Sequence, residues 1–116
     1  MAEPPIDRRP PMSGATRLAA VIGDPVRHSL SPTLLGAAFA ETGLDWTYVA
    51  LEVADGSARG ALDGMRALGI SGLSVTMPHK AAVAAEVDRC TDDATALGAV
   101  NCVVVEEGQL VGHNKP

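Results

Sequence analysis

A chain of 116 residues is long enough for one hydrophobic core and too short for two. Its net charge of −5 and its scattered basic residues exclude a nucleic-acid face, which needs clustered positive charge; a small anionic ligand stays allowed, because local hydroxyls and one cation can act against the overall field. No apolar run is long enough to span a bilayer, and Pro4, Pro5, Pro10 and Pro11 interrupt the N-terminus where a signal peptide needs an apolar stretch, so no membrane partner is expected.

Aromatic residues are 3% of the chain, so the core must be built from Val, Leu, Ile and Ala. Residues 1–16 are Pro-rich and polar, and are predicted to be a disordered tail ahead of a domain spanning 17–116. Leu18-Ala19-Ala20-Val21-Ile22 is a continuous apolar run closed by Gly23-Asp24-Pro25, the pattern of a strand buried on both faces. Ser31-Pro32 predicts a helix start, with Ser31 as the cap, Leu34, Leu35, Ala38 and Phe39 at helical spacing, and Gly43 at the end. Trp46 to Leu51 reads as a second strand. Ser57 to Leu68 reads as a second helix, with Leu62, Met65 and Leu68 on one face and Gly69 as its stop.

Gly72 to Thr76 predicts a third strand, and Pro78 a helix carrying Ala81, Ala82, Val83 and Ala85. Thr91 suits the cap of a short helix, with Asp92 and Asp93 against its positive end. Ala99 to Val105 is a strand, Glu107-Gly108 a tight turn, and Gln109-Leu110-Val111 the returning partner. Together these elements predict an α/β fold: a mostly parallel sheet flanked by helices, in a single domain ending in a β-hairpin. Cys90 and Cys102 form neither C-x-x-C nor a zinc spacing with histidine; they are expected to be reduced, mostly buried thiols of a cytoplasmic protein, with no metal site.

Open α/β sheets bind ligands beyond the carboxyl ends of their strands. Two polar stretches fall there: Ser29-Leu30-Ser31-Pro32 and Ser74-Val75-Thr76-Met77-Pro78-His79-Lys80. Lys80 is the one lysine away from the C-terminus, every other internal strong base being arginine. Lysine, unlike arginine, can be brought to exchange a proton near neutrality, so Lys80 can hold a hydroxyl or pass a proton; a surface lysine whose stem covers apolar atoms is the structural alternative. Ser31 has a structural use as a helix cap, whereas Ser29 has none, and free amides there also attract a carboxylate. Thr76 can cap the next helix or face a ligand. Asn101, inside an apolar strand, needs a polar partner, either in the core or in a ligand. His79 and His113 show no partner and read as solvated or loop residues; His28 helps at most to position its loop. No G-x-G-x-x-G follows a strand, Gly69-Ile70-Ser71-Gly72 being a turn, so no dinucleotide is expected to bind these residues.

Read together, Val21-Ile22-Gly23-Asp24-Pro25-Val26-Arg27-His28-Ser29-Leu30-Ser31-Pro32, Ser74-Val75-Thr76-Met77-Pro78-His79-Lys80, Ala96-Leu97-Gly98-Ala99-Val100-Asn101 and Gly112-His113-Asn114 resemble the substrate-binding N-terminal domain of shikimate dehydrogenase, from about Leu18 to Asn114. The resemblance implies an oxidoreductase of aromatic amino acid biosynthesis that reduces 3-dehydroshikimate to shikimate with NADPH. It also implies that Ser29 and Ser31 bind the substrate carboxylate, that Thr76 supports that end of the pocket, and that Lys80 and Asn101 grip the ring hydroxyls, with Lys80 as the catalytic acid–base. Ser74 stands where many relatives carry Asn. In relatives the chain continues through Thr-Asp-Gly into an NADP domain; here Asn114 is followed by Lys115-Pro116. The aspartate partner of Lys80, the NADP domain and a returning helix are thus not among these residues. The expectation is a shikimate-binding domain that does not turn over or bind NADP(H) alone, with a sheet face that favours self-association. The alternatives are a non-catalytic shikimate- or quinate-binding module and one half of a split enzyme.

Overall fold

The apolar run Leu18–Ile22 forms the middle of strand β1 (Arg17–Gly23), whose last five residues are buried. The computed structural model describes residues 6–116; residues 1–5 of the expected tail lie outside them. β1 pairs in parallel with β2 (Trp46–Glu52) on one side and with β3 (Gly72–Val75) on the other. The edge strand β4 (Arg89–Cys90) is followed by the hairpin of β5 (Cys102–Glu106) and β6 (Gln109–His113). β5 runs antiparallel to β3, and β4 joins β6 in parallel, giving the order β2-β1-β3-β5-β6-β4. Three of the five pairings are parallel, and the chain closes on the hairpin, so the α/β architecture expected from the alternation of elements is the one found.

Helices α1 (Ser31–Thr42), α2 (Ala58–Leu68), α3 (Lys80–Glu86) and α4 (Asp92–Leu97) cover this sheet. Side chains alternate along each strand. Ala20, Ile22, Leu73, Val75 and Val103 face Leu62 and Met65 of α2, Val83 of α3 and Ala94 of α4. Leu62 is fully buried there, which stabilises the fold by about 1.5–3 kcal/mol. Ala19, Val21 and Tyr48 turn to the other face, against Phe39 of α1. α1 lies over β2 and the near side of β1. No described helix is long and apolar enough to cross a membrane.

The helices depart from expectation in ways that packing explains. Of Leu34, Leu35, Ala38 and Phe39, only Phe39 joins the core, and Leu34 is 64% exposed. α1 is apolar on most sides, so spacing selects no face. Leu68, grouped with Leu62 and Met65, is 79% exposed. Gly69 adopts a left-handed φ of 69°, turns the chain, and delivers Ile70 to the core in its place. The strand expected from Ala99 begins only at Cys102, and the helix expected from Pro78 begins at Lys80. β4 has no sequence signal, because two residues carry no periodicity.

Residues 6–16, within the expected tail, contain no helix or strand but are bonded to the domain. The Arg8 N–H donates to the Ala40 carbonyl at 2.8 Å. The Arg9 guanidinium donates to Asp7 and to the Trp46 carbonyl, and the Thr16 hydroxyl donates to Asp45 at 2.7 Å. The Arg9 hydrogen bonds hold the Asp7 carboxyl down to about 2. Proline content argues against a helix here, yet it leaves the neighbouring amides and side chains free to bond.

Asp88 locks β4 and α2 to the hairpin. Its N–H donates to the Leu110 carbonyl at 3.0 Å, its Oδ2 accepts from the Leu110 N–H at 2.8 Å, and its Oδ1 accepts from Arg66 at 3.1 Å. The Leu110 amide, and after it the Arg66 guanidinium, hold this carboxyl below its ordinary range, against burial pushing it up. A depressed carboxyl stabilises the fold fully above its unfolded value of about 3.9, and that contribution is lost as pH falls through the folded value. Asp88→Asn is therefore expected to unfold at lower urea than the parent at pH 7. The gap should narrow when the two are compared at pH 3.

Candidate functional site

The β1–β3 pairing continues past the ends of both strands. The Thr76 N–H donates to the Ile22 carbonyl at 3.0 Å, and the Asp24 N–H to the Met77 carbonyl at 3.0 Å. The loop carrying Ser29 and the loop carrying Thr76 and Lys80 therefore leave the sheet side by side. Because β5 runs antiparallel to β3, its first residue lies at this same edge, and Asn101 just before it. The Asn101 carbonyl accepts from the Val75 N–H at 2.8 Å, and the Lys80 carbonyl accepts from the Val100 N–H at 3.0 Å. The backbone thus brings Ser29, Ser31, Thr76, Lys80 and Asn101 to one end of the sheet, and all five are partly buried.

The two serines exchange the structural parts expected of them. α1 is capped by no side chain; Leu30 holds the N-cap position and Ser31 is already helical. Ser29 does the local work instead, its Oγ accepting from the Ser31 N–H at 3.1 Å. This is a turn in which a hydroxyl replaces a backbone acceptor. Ser29 keeps its own hydrogen for an outside partner, and Ser31 keeps its whole hydroxyl.

α3 likewise has no side-chain cap, so Thr76 does not serve it; His79 occupies the N-cap position and Lys80 the first turn. His79, read as a loop residue, is 1% exposed. Its Nε2 bonds the Val53 carbonyl at 2.6 Å, and because a carbonyl only accepts, Nε2 carries the hydrogen. Val53 in turn donates to the Gly23 carbonyl at 3.0 Å. His79 thus fixes the loop before Lys80 to the exit of β2. Nothing local signals this, since Val53 is 26 residues away in sequence.

Asn101 is committed to the chain itself. Its Nδ2 donates to the Lys115 carbonyl at 2.6 Å, and its Oδ1 accepts from the Lys115 N–H at 2.9 Å. One Nδ2 hydrogen and one Oδ1 lone pair are left for any ligand. Asn114 adds a bond from its Nδ2 to the Ala99 carbonyl at 3.1 Å, holding Gly112-His113-Asn114 beside the same edge. His113, also read as partnerless, bonds Glu106 across the hairpin face at 3.0 Å. Tyr48, which carried no functional expectation, bonds Ser74 at 2.7 Å. Both cysteines are free thiols, and burial pushes Cys102 up. Among the described residues no group of three or more metal-ligating side chains comes together.

An α/β domain that gathers hydroxyls, one ammonium and one amide at the carboxyl edge of its central strands has the groups and the place that small polar ligands use in such folds. Residues 21–103 match the model of the shikimate dehydrogenase substrate binding domain, and the chain belongs to that family. It is 50% identical over 103 residues to the shikimate dehydrogenase (NADP(+)) of Citrifermentans bemidjiense, which covers 89% of this chain and 36% of that protein. It superposes with a TM-score of 0.85 and 41% identity on the shikimate 5-dehydrogenase of Listeria monocytogenes in complex with shikimate and NAD, over 90% of this chain and 36% of that one. It superposes with a TM-score of 0.80 and 36% identity on the Thermus thermophilus shikimate 5-dehydrogenase in complex with shikimate, over 85% of this chain and 38% of that one. The chain spans just over a third of the length of the relatives it matches.

Gly23 is the point where the two site loops press together. A Cβ there would stand 2.5 Å from Thr76 Cγ2 and 3.2 Å from the Met77 carbonyl oxygen. Gly23→Ala is expected to cost about 1–3 kcal/mol in urea unfolding, because the loops must part to admit the methyl group.

Proposed function

We propose that this chain forms the shikimate-binding part of an NADP-dependent shikimate dehydrogenase, which interconverts 3-dehydroshikimate and shikimate. The observation that supports the reading is the backbone stitching of the β1–β3–β5 edge, from which the loops carrying the family's motifs leave side by side. In this reading Ser29 and Ser31 donate hydroxyl hydrogens to the ligand carboxylate, with Thr76 beside them. Lys80 holds a ring hydroxyl and exchanges its proton, and Asn101 offers its remaining amide hydrogen to a neighbouring hydroxyl. A carboxylate and vicinal hydroxyls on one ring match such a set, since the carboxylate only accepts whereas the hydroxyls both donate and accept.

NADP(H) is named by the relatives. The turn between β1 and α1 runs Asp24-Pro25-Val26-Arg27-His28-Ser29-Leu30, with no glycine to let a pyrophosphate approach the backbone. The residues of this chain accordingly account for ligand binding, orientation and one proton, and no cofactor contact is assigned to them.

Calorimetric titration of the chain with shikimate tests this reading, with quinate in parallel to distinguish the two ring acids. Saturable binding of shikimate is expected, and Lys80→Ala should weaken it by about tenfold or more, the effect of losing a charged hydrogen bond. An absence of saturable heat, or equal affinity in Lys80→Ala, would overturn the assignment.

A further inference from the structure

Tyr48 is the chain's single tyrosine and is 9% exposed. It stands on β2, yet its phenol reaches across β1 to donate to Ser74 Oγ on β3 at 2.7 Å. The ring crosses over Ala19, the small residue opposite both Tyr48 and Gly72, and packs beside Val21, which pairs with Ser74. A phenol is the stronger acid of the two hydroxyls and takes the donor's part. Burial, the largest influence on this group, pushes it up and keeps the proton on. Ser74 Oγ then accepts from Tyr48 and keeps its own hydrogen for another partner.

That hydrogen has a direction available to it. Strand alternation turns Val75 into the core beneath α2 and α3, and Ser74 to the opposite face with Thr76 just beyond it. On that face Ser74 is only partly buried, whereas Leu73 and Val75 on the other are buried. Ser29 shows the same arrangement, its oxygen occupied from within and its hydrogen left over.

We propose that Tyr48 is a positioning residue for the ligand: through Ser74 it fixes a hydroxyl donor at the carboxyl end of β3, on the same side as Thr76, for an acceptor oxygen of the bound cyclohexene carboxylate. The inference rests on the shikimate-binding reading above and adds to it a polar contact that is oriented from across two strands. Removing the phenol hydroxyl leaves the Ser74 hydrogen free to turn back onto the protein, so binding weakens although the fold keeps its ring.

The test is a double-mutant cycle read by calorimetric shikimate titration of the full chain, with far-UV circular dichroism confirming the fold of each variant. Tyr48→Phe and Ser74→Ala are each expected to weaken binding by about tenfold. The double variant should bind no more weakly than Ser74→Ala alone, because Tyr48 acts through Ser74. Ser74→Cys, which keeps the volume and loses the strong donor, should behave as Ser74→Ala does and serves if that variant fails to fold. Tyr48→Phe within about twofold of the parent overturns the inference, as does an equal loss from Tyr48→Phe with and without Ser74, which would mark a packing role. A parent chain that binds no shikimate overturns the reading of the site and this inference with it. Binding by the parent that Tyr48→Phe leaves unchanged overturns the inference alone.

Discussion

Two backbone hydrogen bonds just past the strand ends govern this molecule. Thr76 to Ile22 and Asp24 to Met77, each at 3.0 Å, extend the parallel pairing of β1 and β3 into the loops that follow. Parallel strands ordinarily release their connections to diverge toward separate helices. Here the two connections stay bonded for another residue each, so Gly23 meets Thr76 with no room for a side chain. His79 ties the same place to the exit of β2 through Val53, and Val100 and Asn101 tie it to the entrance of β5. Side chains projecting from loops held at so many points start from a defined backbone, which lowers the ordering cost of receiving a ligand.

Around that frame, polar groups are divided between internal and external use. Ser29 spends one lone pair on its own turn, Asn101 spends half of its amide on Lys115, and Ser74 receives the Tyr48 hydroxyl. Each internal bond removes one option and so narrows what remains. A hydroxyl that has accepted one bond keeps its hydrogen and a single lone pair, and an amide held at one edge presents only its other edge. On the proposed reading, this makes the edge of the sheet more selective than its number of hydroxyls suggests.

Much of the frame was legible in the chain, for local reasons. Leu18–Ile22 reads as a doubly covered strand because its apolar run has no polar interruption, and Thr91 caps α4 as its position implies, accepting from Ala94 at 3.4 Å. The order of the motifs placed the site at the carboxyl ends of the strands, since each polar stretch directly follows an apolar one. What escaped were the relations between distant segments. Leu68 continues the α2 periodicity, yet the turn at Gly69 sends Ile70 inward instead. Ser31 has the sequence of a cap, but Ser29 makes the turn. His79 has no visible partner until β2 and α3 are folded against each other.

The alternation of strands and helices, the loops that carry hydroxyls and the lysine, and the family to which those motifs belong can all be read along the chain, because they are written in short-range pattern and residue chemistry. Which lone pairs and hydrogens those groups have left to offer is set by folding alone. That depends on partners 14 to 26 residues away, such as Tyr48 with Ser74, His79 with Val53 and Asn101 with Lys115, and no local pattern encodes a contact whose geometry is set by strand order and register.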